Sequence, residues 1–197
     1  MTVDKDLRKL TVDKDLRKSA KDFKLVVWPK VKHWFGEGDL TPVEAVTESG
    51  MAQMLDMYSG IDAWYIEKET GIRGIGSRVQ WGKKRWNTFT IRKKRDSGTR
   101  TEYAKLINAI ENDWLYPYWF IQAYINNGEL LTAGLAKTSD IINYIKTNPS
   151  CPTRLAPNAV FYYVDWIKFE ENYFINTYPE KEKQIIENKL TSYFGGS

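Results

Sequence analysis

The clearest periodic signal in the chain lies over residues 72–81. Ile75, Ser77, Val79 and Trp81 alternate there with Gly74, Gly76, Arg78 and Gln80. That is the period of a strand with two unlike faces. Residues 61–68 (IDAWYIEK) and 88–92 (TFTIR) read as strands on either side, joined through a turn at 69–71 and a basic loop at 82–87. The three together predict an acid-bearing β-meander, with Asp62 at its mouth.

Helical signals flank the meander. Thr41-Pro42-Val43-Glu44 has a capping threonine, a proline at the first helical position and an acid three residues past the cap, and it predicts a helix running to about residue 58. Gly60 would stop it. On the far side, Thr99 or Thr101 caps a predicted helix to about Asn112, with Tyr103, Leu106, Ile107 and Ile110 as its apolar stripe. Before all of these, residues 23–35 (FKLVVWPKVKHWF) are broken by Pro29 and read as a short strand or extended arm, turning through Gly36 and Gly38.

The later chain reads as a strand over 117–125, a turn at Asn126-Asn127-Gly128 and a return strand over 130–136. A helix capped by Ser139 follows, then a proline-containing loop over 149–157, a strand over 160–169 and a terminal helix from 179 to about 194. The order over residues 41–125 is α-β-β-β-α-β. The expected class is α+β, with a mixed central sheet and C-terminal β/α additions.

Residues 2–9 (TVDKDLRK) recur unchanged at 11–18. The repeat is too short for a solenoid unit. Residues 1–20 are set apart as a repeated charged segment, and 21–197 read as a single domain. One cysteine, Cys151, and one histidine, His33, allow neither an internal disulfide nor a multi-histidine metal site. The sequence lacks an apolar run near the ~18 residues of a membrane span, so a cytoplasmic protein with no membrane partner is expected. His33 reads as a packed surface residue. GIRGIG over 71–76 departs from the dinucleotide pattern and opens no helix, so a nucleotide cofactor is not expected.

Charge changes the picture more than composition does. The net charge is only +4, but the cations concentrate: Lys83, Lys84, Arg85, Arg92, Lys93, Lys94, Arg95 and Arg100 face a single acid, Asp96, over residues 83–100. Such a run fits a polyanion. Edge-strand protection is its plainer explanation.

The element order, together with Asp62 in Gly60-Ile61-Asp62, resembles the restriction-endonuclease-like PD-(D/E)XK nuclease superfamily over roughly residues 41–125. The resemblance implies an αβββαβ core and phosphodiester cleavage with Mg²⁺. It places Asp62 as the first metal ligand, Glu44 or Glu48 as the acid on the preceding helix, and Gln80 or Lys83 as the group positioning water. It implies nucleic acid as partner, DNA ahead of RNA, contacted by Arg78 and the cations of 83–100. The chain departs from the family motif where Arg78 and Gln80 stand for an acid and a lysine. That departure favours phosphate binding over cleavage. A non-catalytic alternative is a protein-docking or inhibitor protein that uses Tyr116, Tyr118, Trp119 and Tyr124 as anchors.

Overall fold

The computed structural model describes residues 17–43, 59–67, 71–98 and 100–179. It opens with a helix, α1, over residues 17–34, where the sequence suggested an extended arm. Phe23, Val27 and Val31 explain the difference. They recur every four residues, lie on one helical face and are all buried. Burying that stripe overrides the strand preference of the Val-Val-Trp run. Pro29 is accommodated because the turn before it, Phe23–Val27, is π-helical, with Trp28 N–H reaching back to the Phe23 carbonyl. The widened turn relieves the clash that a proline ring makes with an α-helical carbonyl.

β1 (Gly38–Pro42) is an edge strand paired antiparallel with β2 (Ala63–Glu67), with Thr41 opposite Trp64 and Pro42 opposite Ala63. Thr41 and Pro42 are therefore strand residues, and helical backbone begins only at Val43. Proline is tolerated at an edge because its missing N–H interrupts no ladder there. The rest of the predicted helix, residues 44–58, lies outside the described residues.

β3 (Gly71–Trp81) pairs antiparallel with β2 on one side and parallel with β5 (Trp119–Asn126) on the other. β6 (Glu129–Lys137) returns antiparallel to β5 through a turn in which Asn127 has φ 48° and Gly128 φ 81°. Those left-handed dihedrals are why the sequence needs Asn-Gly there. β9 (Asn176–Tyr178) completes a six-stranded mixed sheet in the order β1-β2-β3-β5-β6-β9. At three residues, β9 is too short to show a period, and it had no sequence signal.

The third strand of the expected meander leaves this sheet. β4 (Thr88–Arg95) pairs antiparallel with β8 (Ala159–Asp165), which pairs with β7 (Thr153–Ala156). β7 forms inside the segment read as a loop. β8 ends earlier than predicted because Asp165 accepts from Ile167 N at 3.1 Å. It thereby caps the short helix α4 (Trp166–Glu170). The connection from β3 to β5 also carries α2 (Glu102–Glu111), whose cap is Thr101, Oγ1 accepting from Ala104 N. α3 (Thr138–Thr147) begins one residue ahead of Ser139 and has no side-chain cap. Of the predicted terminal helix, residues 180–194 lie outside the described residues.

Each face of the large sheet has its own core. On one, α1 lays Phe23, Val27 and Val31 over Ile75, Val79, Ile121, Ala123, Ile125 and Leu135. Trp81 Nε1 donates to Asp22 Oδ2 at 2.7 Å and ties the helix to the end of β3. On the other, Phe120, Tyr124 and Ala136 meet Phe89, Ile91 and Val164 of the small sheet, with α2, α3 and α4 supplying Leu106, Ile141, Ile142, Ile145, Trp166 and Phe169. Packing there is tight. A Cβ on Gly134 would stand 2.6 Å from the Trp166 indole.

Candidate functional site

The small sheet turns Phe89 and Ile91 of β4 into the second core. By alternation, its other face carries Thr88, Thr90 and Arg92, with Phe161 opposite Arg92 and Tyr163 opposite Thr90 on β8. This face does not close onto the large sheet. A cleft of about 600 Å³ remains, lined by Gln80, Thr88, Thr90 and Tyr124 at its floor and by Trp86, Arg154, Phe161 and Tyr163 at its walls. The size is that of an ordinary small-ligand site.

The floor is a chain of hydrogen bonds. Gln80 Nε2 donates to Thr90 Oγ1 at 3.2 Å, and Thr90 Oγ1 donates to Gln122 Oε1 at 2.8 Å. Gln122 Oε1 also accepts from Thr90 N at 3.2 Å. That backbone donor fixes the amide orientation and leaves Gln122 Nε2 buried with no partner. Tyr124 hydroxyl donates to the Thr88 carbonyl at 2.9 Å. Burial pushes its phenol up to about 12.

At the mouth, Thr132 Oγ1 donates to the Trp86 carbonyl at 2.7 Å and holds the β3–β4 loop in place. The Trp86 ring carries two cations, with Arg154 at 5.0 Å and Lys84 at 5.6 Å from its centroid. Arg78 and Arg92 lie 5.1 Å and 5.2 Å from the centre of the Phe161 ring. Glu102, at the first turn of α2, is the carboxylate they meet. It pairs with Arg78 Nη2 and accepts from Arg92 N at 3.0 Å. Desolvation, with Arg78 and Arg95 nearby, brings the Arg92 guanidinium down to about 10.

The structure thus puts Gln80 in the cleft and Arg78 and Arg92 against its Phe161 wall, while Asp62 is held by Ser77. Asp62 Oδ2 accepts from Ser77 N at 2.6 Å and from Ser77 Oγ at 3.1 Å. β2 ends at Ala63 while β3 runs on, so Asp62 takes an edge N–H that the ladder no longer serves. Glu44 and Glu48 lie outside the described residues. Among the described residues no three Asp, Glu, His or Cys side chains gather as a metal site. Of the Mg²⁺ ligands that the nuclease resemblance implied, only Asp62 falls within the described residues, and its Oδ2 is engaged by Ser77.

The basic run is divided among several places. Lys83, Lys84 and Arg85 are exposed on the loop that carries Trp86. Lys93, at a bulge between Arg92 and Lys94, sits over Tyr162 on the helical side. Lys94 and Arg100 are exposed, and Arg95 is half-buried. His33 packs edge-on against Trp34. Of the aromatic anchors, Tyr124 is buried and cannot dock a partner, whereas Tyr118 lies under Arg73 at 4.6 Å.

Glu102, Trp86, Arg154, Phe161 and Tyr163 were missing from the sequence-derived site. The alternation of Phe161 and Tyr163 was a readable signal. The partners that converge from β7 and α2 were not, because nothing local specifies them. Among the described residues no helix is long and apolar enough to cross a membrane. No family model matches the chain, and neither curated proteins nor solved structures give a match.

Proposed function

We propose that this chain binds nucleic acid by taking a single-stranded segment into the cleft between its two sheets. One observation carries the reading: at the cleft mouth, the Trp86 ring lies beneath both Lys84 and Arg154. Single-strand sites combine the same two elements, a ring on which a base can stack and cations that follow the phosphates. Lys83 and Arg85 add charge on the same loop. Phe161 and Tyr163 offer further rings inside. A duplex keeps its bases stacked and has no free face to offer Trp86, so a single strand is the better fit.

DNA, the partner implied by the nuclease resemblance, is the first ligand to test. Fluorescence-labelled oligonucleotides, single-stranded and duplex, DNA and RNA, would be titrated at several salt concentrations. The expected result is single-strand preference with affinity falling steeply as salt rises. Equal affinity for duplex, or no salt dependence, would sink the reading. Including Mg²⁺ or Mn²⁺ in the same reactions tests the metal-dependent cleavage of a restriction-endonuclease-like core. Fragments that disappear in Asp62→Asn would restore it.

A further inference from the structure

Beside Phe161, two guanidinium groups lie near a single carboxylate. Glu102 pairs with Arg78 Nη2 and takes the backbone N–H of Arg92, not its side chain. Arg78 Nε and Arg92 Nε are both buried without a hydrogen-bond partner. Two half-buried cations beside one carboxylate leave a positive charge that water does not fully solvate. Desolvation, and after it the charge of Arg78, depresses the proton affinity of Arg92.

We propose that Arg78 and Arg92 form a binding site for a phosphate group, with Glu102 as an internal stand-in for the anion. Both guanidinium groups lie against Phe161, and the Arg78 and Glu102 side chains keep 16% and 24% of their surface exposed, so the pair reaches solvent beside the cleft and is not sealed inside the fold. Each planar fork matches a phosphate edge, and phosphate oxygens are numerous enough to meet both forks at once. A planar carboxylate has two oxygens, and Glu102 meets Arg78 through Nη2 alone, leaving the Arg78 Nε unserved. An arriving phosphate competes with Glu102 for Arg78 and gains Arg92 as a second partner. The phosphate comes from either a strand lying in the cleft or a free phosphate compound. The first source rests on the nucleic-acid reading; the second does not.

The test uses the whole chain and inorganic phosphate alone. Thermal melting is followed as phosphate replaces chloride at constant ionic strength. The expected result is a saturable rise in melting temperature. Glu102→Gln removes the competing charge but keeps the side-chain shape, and should lower half-saturation by roughly tenfold. Arg92→Gln should abolish the rise. Arg92→Lys keeps the charge without the fork, and should weaken the response even if Arg92→Gln fails to fold. No saturable rise in either the wild type or Glu102→Gln overturns the site, as does an undiminished rise in Arg92→Lys. In a parallel arm, oligonucleotide binding without any phosphate response rejects the site and leaves the cleft reading intact. A phosphate response without oligonucleotide binding supports the site for a free phosphate compound and counts against the cleft reading.

Discussion

The two faces of β3 and β5 are made from the same short stretches of chain, yet they behave as different materials. Toward α1, the strands present Ile75, Val79, Ile121, Ala123 and Ile125, and a helix covers them with Phe23, Val27 and Val31. Toward the small sheet they present Arg78, Gln80, Gln122 and Tyr124, which need Thr88, Thr90 and Glu102 to satisfy them. The apolar face is non-directional and tolerates small shifts. The polar face has fixed partners and retains a cleft. One face holds the sheet together, and the other presents it to a ligand.

Breaking the apolar face should have the largest effect on stability. Ile121→Ala leaves a cavity under α1, and should cost about 2–5 kcal/mol in denaturant unfolding with the cleft chemistry unchanged. A loss of less than about 1 kcal/mol would show that α1 can settle into the gap. The polar face has its own signature in alkali. The unfolded Tyr124 phenol ionises near 10 and the folded one at about 12. The folded state thus keeps its proton longer. That stabilisation is full below pH 10 and drains away as pH rises through 10 to 12, by about 2–3 kcal/mol in all. Tyr124→Phe should lose this component of the pH profile, measured as the difference from wild type between pH 9 and pH 12.

Gln122→Leu isolates one polar link. It removes the acceptor of Thr90 N and Thr90 Oγ1 while leaving the volume nearly unchanged. The expected cost is about 1–3 kcal/mol from the stranded N–H. An increase in stability would mean that the unpaired Nε2 costs more than the two accepted bonds contribute. The cleft mouth should behave in the opposite way. Trp86→Ala should leave unfolding nearly unchanged, yet weaken single-strand binding by about 1–3 kcal/mol. The smallest effect is a slope. Replacing Lys83, Lys84 and Arg85 together by Ala should reduce the salt dependence of log K by about 2 for a single strand.

The parity of β3 was legible from sequence, and with it the grouping of Arg78 with Gln80, because alternation is local. The Asn127-Gly128 turn and the Thr101 cap were legible for the same reason. The partners were not. Nothing in Thr88–Arg95 says that it pairs with β8 and not with β3, since a period of two names a face and never a neighbour. Asp62 was rightly placed at the mouth of a strand, but its role was assigned from the resemblance; in the structure the carboxylate serves Ser77. α1 is hidden in the sequence although Phe23, Val27 and Val31 stand at helical spacing, because Pro29 interrupts the pattern where a π-helical turn absorbs it.

The strand that forms one wall of the cleft is inserted between two strands of the other sheet, yet its hydrogen-bonded partner arrives only near the end of the described chain, with Thr88 facing Asp165. Forming that pair must close a long loop, an entropic cost that comes before any contact compensates it. α1, β2 and β3 can associate while the later segments are still being made; the cleft cannot. During synthesis, the Gln80 and Arg78 face of β3 therefore waits uncovered. Competence to bind should appear as a late kinetic event, separable in refolding experiments from the earlier burial of the face under α1.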